Sequence, residues 1–135
     1  MKVVFDSNVL IAAFITQGLC HAVFEQCLSD HQIYVSDTLL KELTEKLDRK
    51  LHVSEKKLTE VQDVLKKHAH KHIPVEIDPI VCRDPKDLHV LGLAVAAESD
   101  ALITGDHDLL VIKKFRGIPI LSPREFYTFL QKRHV

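Results

Sequence analysis

Four carboxylates stand where apolar runs of this chain give way to polar residues. Asp6 ends the run Val3-Val4-Phe5, Glu42 stands among Leu39, Leu40 and Leu43, Asp87 opens a segment of small residues, and Asp106 follows Ala101–Thr104 after a glycine. Carboxylates gathered closely raise one another's pKa, so a cluster costs stability unless a cation neutralises it. Hard divalent cations take oxygen ligands, and Mg²⁺ keeps several waters while using one or two carboxylates and a substrate phosphate. The chemistry best served is phosphodiester hydrolysis, in which the ion activates water and stabilises the developing charge. Each acid alone has a plainer alternative. Asp6 or Ser7 could cap the helix that follows, and Glu42 could pair with Lys46 one helical turn on. Asp87 could cap its own helix, and Asp106 could be a turn acid after Gly105.

The elements that must position these acids read as alternating strands and helices. Val3–Phe5 lacks polar alternation, as in a strand buried on both faces of a parallel sheet. Helices are expected over 7–14 and 18–29, the second with Leu19, Val23, Phe24 and Leu28 at helical spacing. Ile33–Val35 is a short strand. Ser36 or Asp37 caps a helix running to about Arg49, and Ser54 caps another through Leu58, Val61, Val64 and Leu65. Ile73–Ile77 is a strand candidate, weakened by Pro74 and so placed at a sheet edge. Asp84-Pro85-Lys86-Asp87 is a turn leading into a closely packed helix with Gly92, Ala94, Ala96 and Ala97. Ala101–Thr104 is a buried strand, Asp106–Ile112 a short helical turn, Ile118–Leu121 the last strand and Ser122–Lys132 a terminal helix. This order predicts an α/β fold, a three-layer α/β/α sandwich around a mainly parallel sheet. Three of the four acids then fall where strands or loops feed helix N-termini, the edge where such a sheet gathers its ligands.

The 135 residues suit a single domain spanning 1–135, with 46% apolar and 27% charged residues in a soluble, folded balance. No run is long enough to span a bilayer, and no signal-peptide pattern opens the chain, so a cytoplasmic protein without membrane contact is expected. Cys20, Cys27 and Cys82 form no CxxC pair, which points to reduced thiols. Cys20 and Cys27, seven apart on one helix, read as small buried hydrophobes. The net charge of −1 neither demands nor excludes nucleic acid, so any cationic surface must be local. Lys46, Arg49 and Lys50, and further on Lys113, Lys114 and Arg116, are the candidates. His68, His70 and His72 alternate along HAHKH and read as exposed residues at a helix C-terminus, where positive charge is favoured. His107, between Asp106 and Asp108, is placed to touch substrate, but metal-activated water needs no histidine base.

The stretches VVFDSNVLIAAF, LLKELTEKL, RDPKDLHVLGLAVAAESDALITGDHDLL and GIPILSPREF together resemble the PIN domain. The likeness runs from near the N-terminus to about Phe126 and is nearest the VapC-like toxin components of bacterial toxin–antitoxin systems. A lone DxN would be a weak sign; four acid-bearing segments in the family's order are a specific one. The resemblance implies an endoribonuclease dependent on Mg²⁺ or Mn²⁺, leaving a 5′-phosphate and a 3′-hydroxyl. It places the family's acids on Asp6, Glu42, Asp87 and Asp106, with Asn8 and Thr104 as supporting polar residues. Asp108 would bind metal directly or through water. Asp84, ahead of Pro85, has the alternative role of a turn cap and ranks below Asp87. An RNA substrate, a cognate antitoxin and a homodimer are implied in the same way. Two other classes stay open: a PIN fold without turnover that serves as a binding module, and a Mg²⁺-binding phosphoacceptor receiver domain. The second would need an acceptor aspartate after a central third strand and a lysine after the fifth.

Overall fold

The structure is a computed structural model that describes residues 1–133. Its strands are β1 (Lys2–Phe5), β2 (Gln32–Val35), β3 (His70–Lys71), β4 (Ala101–Ile103), β5 (Lys114–Phe115) and β6 (Ile118–Leu121). They form one sheet in the order β3-β2-β1-β4-β6-β5, parallel throughout except for β5, which runs antiparallel to β6. The helices are α1 (Ser7–Ile15), α2 (Leu19–Asp30), α3 (Asp37–Glu45), α4 (Glu55–His68), α5 (Leu88–Ala96), α6 (His107–Leu110) and α7 (Pro123–Arg133). The expected α/β/α sandwich is the observed one.

β1 lies inside the sheet, which is why its apolar run shows no alternation: Val3, Val4 and Phe5 are all fully buried. The Phe5 ring meets Phe24 of α2 and Phe126 of α7 edge-on, with centroids 5.8 and 6.5 Å apart. Each such ring contributes ~1.5–3 kcal/mol through burial. α5 packs against β1, β2 and β4. Gly92 lets another backbone approach it, because a Cβ there would come within 2.2 Å of the Val75 carbonyl oxygen. The small-residue run is therefore a packing device, as its composition suggests.

The caps behave as expected at α3 and α4. Ser36 Oγ accepts from the Leu39 amide at 3.0 Å, and Ser54 Oγ from the Lys57 amide at 3.1 Å. α3 ends at Glu45 and widens into one π turn, Lys46–Lys50, instead of running regularly to Arg49. Such widened turns gather at functional sites.

The sheet edges differ from expectation. Ile73–Ile77 is not a strand: the Val75 amide bonds to the Gly92 carbonyl of α5 at 3.1 Å, and Pro74 has no amide to give a ladder. The edge strand is instead His70–Lys71, inside the HAHKH stretch read as a helix end. Its partner is Tyr34–Val35 of β2, and the Tyr34 ring stacks on His70 at 5.1 Å and meets His72 edge-on at 4.9 Å. Only His68 belongs to the helix end. β5 was not anticipated; it forms a hairpin with β6 through Arg116 and Gly117, both at positive φ (49° and 83°). Two-residue turns with that backbone match the twist of a hairpin. The three cysteines are free thiols, Cys27 and Cys82 buried but Cys20 only half-buried. No single helix among the described residues is long and apolar enough to cross a membrane.

Candidate active site

β1 and β4 are neighbours although most of the chain lies between them, and the sheet order turns back there: β2 lies on one side of β1 and β4 on the other. Crevices at the carboxyl ends of strands flanking such a point are where α/β sheets bind ligands. Asp6 directly follows β1 and Thr104 directly follows β4. A cleft of ≈ 470 Å³ opens there, with Asp6, Glu42, Asp84, Asp87 and Asp106 in its walls.

Asp6 stands at the N-cap of α1, but its side chain makes no capping bond. Its backbone carbonyl starts the helix, accepting from Val9 and Leu10 at 3.1 Å each. The carboxylate turns into the fold, where the buried Thr104 hydroxyl donates to Oδ2 at 2.8 Å. Thr104 Oγ1 also accepts from the Asp106 amide at 3.0 Å. One hydroxyl thus ties the acid after β1 to the acid after β4. Burial pushes the Asp6 carboxyl above its ordinary range, partly offset by the Thr104 bond.

Asp87, Asp106 and Asp108 converge more closely: one oxygen from each lies within 4.8 Å of the others. Asp106 is both a wall of the site and a local cap, accepting from the Asp108 amide at 2.9 Å. That bond orients Asp108 beside it. Asp87 opens α5 without a capping bond, and its Oδ2 is buried with no hydrogen-bond partner. Burial and the neighbouring Asp106, Asp6 and Asp84 raise its pKa to about 7. A buried, unpartnered carboxylate oxygen beside two further acids fits a hard divalent cation, which would satisfy that oxygen and remove the repulsion. Asp84 is the turn cap, accepting from the Lys86 amide at 3.0 Å.

Glu42 lines the same cleft outside the group formed by Asp87, Asp106 and Asp108, and is already engaged. Oε1 lies 3.8 Å from Lys46 Nζ, and Oε2 lies 3.6 Å from His89 Nε2. The bond to His89 holds its carboxyl below the usual range, helped by Ser7 and Lys46 against the opposing effect of burial. The Lys46 ammonium donates to Ser7 Oγ at 2.9 Å and to Asn8 Oδ1 at 3.3 Å. Asn8, which also lines the cleft, thus contacts the Lys46 ammonium. Ser7, His89 and the placing of Lys46 went unread in the sequence as site features. His89 carried a usable signal, lying two residues after Asp87 in a segment otherwise apolar.

Of the expected cationic positions, Lys46, Arg49 and Lys50 line the cleft together with Lys86. Lys113, Lys114 and Arg116 belong to the β5 hairpin instead. His107 is exposed at the start of α6.

A parallel sheet that reverses its order at an acidic cleft defines a class of α/β protein with its ligand site at that edge. The chain belongs to the PIN domain family, which it matches over residues 2–108. Proteins of this family are generally nucleases that use divalent metal ions. Among solved structures the fold is similar to that of a chain in the crystal structure of VapBC2 from Rickettsia felis bound to a DNA fragment from their promoter. The TM-score is 0.61 at 14% identity, covering 90% of this chain and 98% of that one. At that identity the likeness is one of fold. No curated protein sequence matches it.

Proposed function

We propose that this chain is a Mg²⁺- or Mn²⁺-dependent endoribonuclease and the toxin of a toxin–antitoxin pair. The observation that carries the reading is the convergence of Asp87, Asp106 and Asp108 around a buried carboxylate oxygen with no partner. Those three acids would hold the ion, with Asp6 and Glu42 lining the same cleft. When bound, the ion supplies an activated water and positive charge for in-line attack on a phosphodiester, leaving a 5′-phosphate and a 3′-hydroxyl. Thr104 holds Asp6 and Asp106 in register, so the acids meet the ion without first reorganising. Arg49, Lys50 and Lys86 stand exposed around the cleft, where they would take the backbone phosphates of a single strand on either side of the scissile bond. The VapBC2 likeness supports an antitoxin as partner, and the family resemblance a homodimer working in the cytoplasm.

The test pairs the wild type with Asp6→Asn, following Mn²⁺ binding and cleavage of a mixed-sequence single-stranded RNA together. Metal-dependent cleavage that disappears in D6N is expected. Metal binding without cleavage would mark a PIN fold used as a binding module, and full cleavage by D6N would remove Asp6 from the mechanism.

A further inference from the structure

The acids of the cleft are not equivalent. Asp87, Asp106 and Asp108 converge, whereas Glu42 stands outside that group with Lys46 at 3.8 Å from one oxygen and His89 at 3.6 Å from the other. The group beside Glu42 is Lys46. An i, i+4 pair with Glu42 alone would be an ordinary helix-surface contact of small consequence. Two features set this one apart.

First, the ammonium is placed by tertiary structure. Its closest acceptors, Ser7 Oγ at 2.9 Å and Asn8 Oδ1 at 3.3 Å, come from α1, some forty residues away, and Ser7 is fully buried. Glu42 Oε1, at 3.8 Å, adds an ion pair to these two hydrogen bonds. Second, a hydroxyl, an amide oxygen and a carboxylate form an all-oxygen set of the kind hard cations take. Lys46 is half-buried, whereas Arg49, Lys50 and Lys86 along the same cleft are exposed. It also stands at the start of the π turn.

We infer that Lys46 is a built-in cation: its ammonium sits among the Ser7, Asn8 and Glu42 oxygens in place of a second metal ion, so the cleft takes a single divalent ion, at Asp87, Asp106 and Asp108. The inference rests on the nuclease reading for the first ion and adds a fixed stoichiometry and a role for Lys46, Ser7 and Asn8. Glu42 then serves as the partner of the resident ammonium.

The experiment counts Mn²⁺ bound per chain, by electron paramagnetic resonance and by calorimetry, in wild type, Lys46→Met and Lys46→Arg. Methionine keeps the length of the side chain and removes the charge; thermal unfolding without metal checks that each variant folds. One Mn²⁺ in wild type and in K46R, but two in K46M, is the expected result. A second ion bound by the wild type would overturn the inference, as would a K46M that still binds one with unchanged affinity. The two readings fail separately: a wild type that binds and cleaves with one ion while K46M behaves identically loses only the role of Lys46. A wild type that binds no Mn²⁺ loses both.

Discussion

Replacing Asp87 with Asn should stabilise the metal-free protein, and only at pH values where Asp87 would otherwise ionise. Folding raises this carboxyl from 3.8 to about 7 through burial and the neighbouring acids. Below pH ~4 the group is protonated in both folded and unfolded chains and contributes nothing. As pH rises the unfolded chain gives up its proton first, so the folded state loses stability until Asp87 has ionised in it as well. The cost is complete above pH ~7. For a fully buried group the shift would correspond to about 4 kcal/mol. Solvent reaches Asp87 and screens it, which reduces the expected gain to roughly 1–2 kcal/mol at pH 8. For a domain of this size that is a rise in Tm of roughly 3–8 °C, falling to about a quarter of that at pH 4.5. Thermal unfolding in EDTA at the two pH values measures it. Saturating Mn²⁺ should reverse the order, because the wild type then gains a ligand the variant lacks. A D87N protein with no greater stability than wild type at pH 8 would refute the claim that burial and the neighbouring acids penalise the ionised Asp87 carboxylate in the folded chain.

Thr104→Val preserves volume but removes the hydroxyl shared by Asp6 and the Asp106 amide. It should cost about 1–3 kcal/mol by urea unfolding, because a buried acceptor and a donor each lose their partner. Gly92→Ala drives a methyl into the Val75 carbonyl and should cost about 1–3 kcal/mol, despite alanine's better helix propensity. A neutral or stabilising G92A would mean that the 74–75 segment does not lie on α5.

Much of the architecture was legible in the sequence because it is locally encoded. The uninterrupted run Val3-Val4-Phe5 marked a doubly covered strand, Ser36 and Ser54 marked helix starts, and Pro85 after Asp84 marked a turn. The acids could be ranked by their order along the chain. Their grouping could not. Thr104 reaches Asp6 across 98 residues because β4 lies beside β1, a matter of sheet order that no local pattern expresses. The same holds for Lys46, whose acceptors on α1 turn an apparent i, i+4 pair into a cation held inside the cleft. Ile73–Ile77 fails as a strand because its backbone partner is chosen by tertiary packing. A helix carrying glycine at position 92 offered that segment a carbonyl at close range, while His70–Lys71 took the sheet edge. Residue types and caps are thus decided within a few neighbours. Which oxygens converge, and which cation each one faces, is decided only when distant strands close into one sheet.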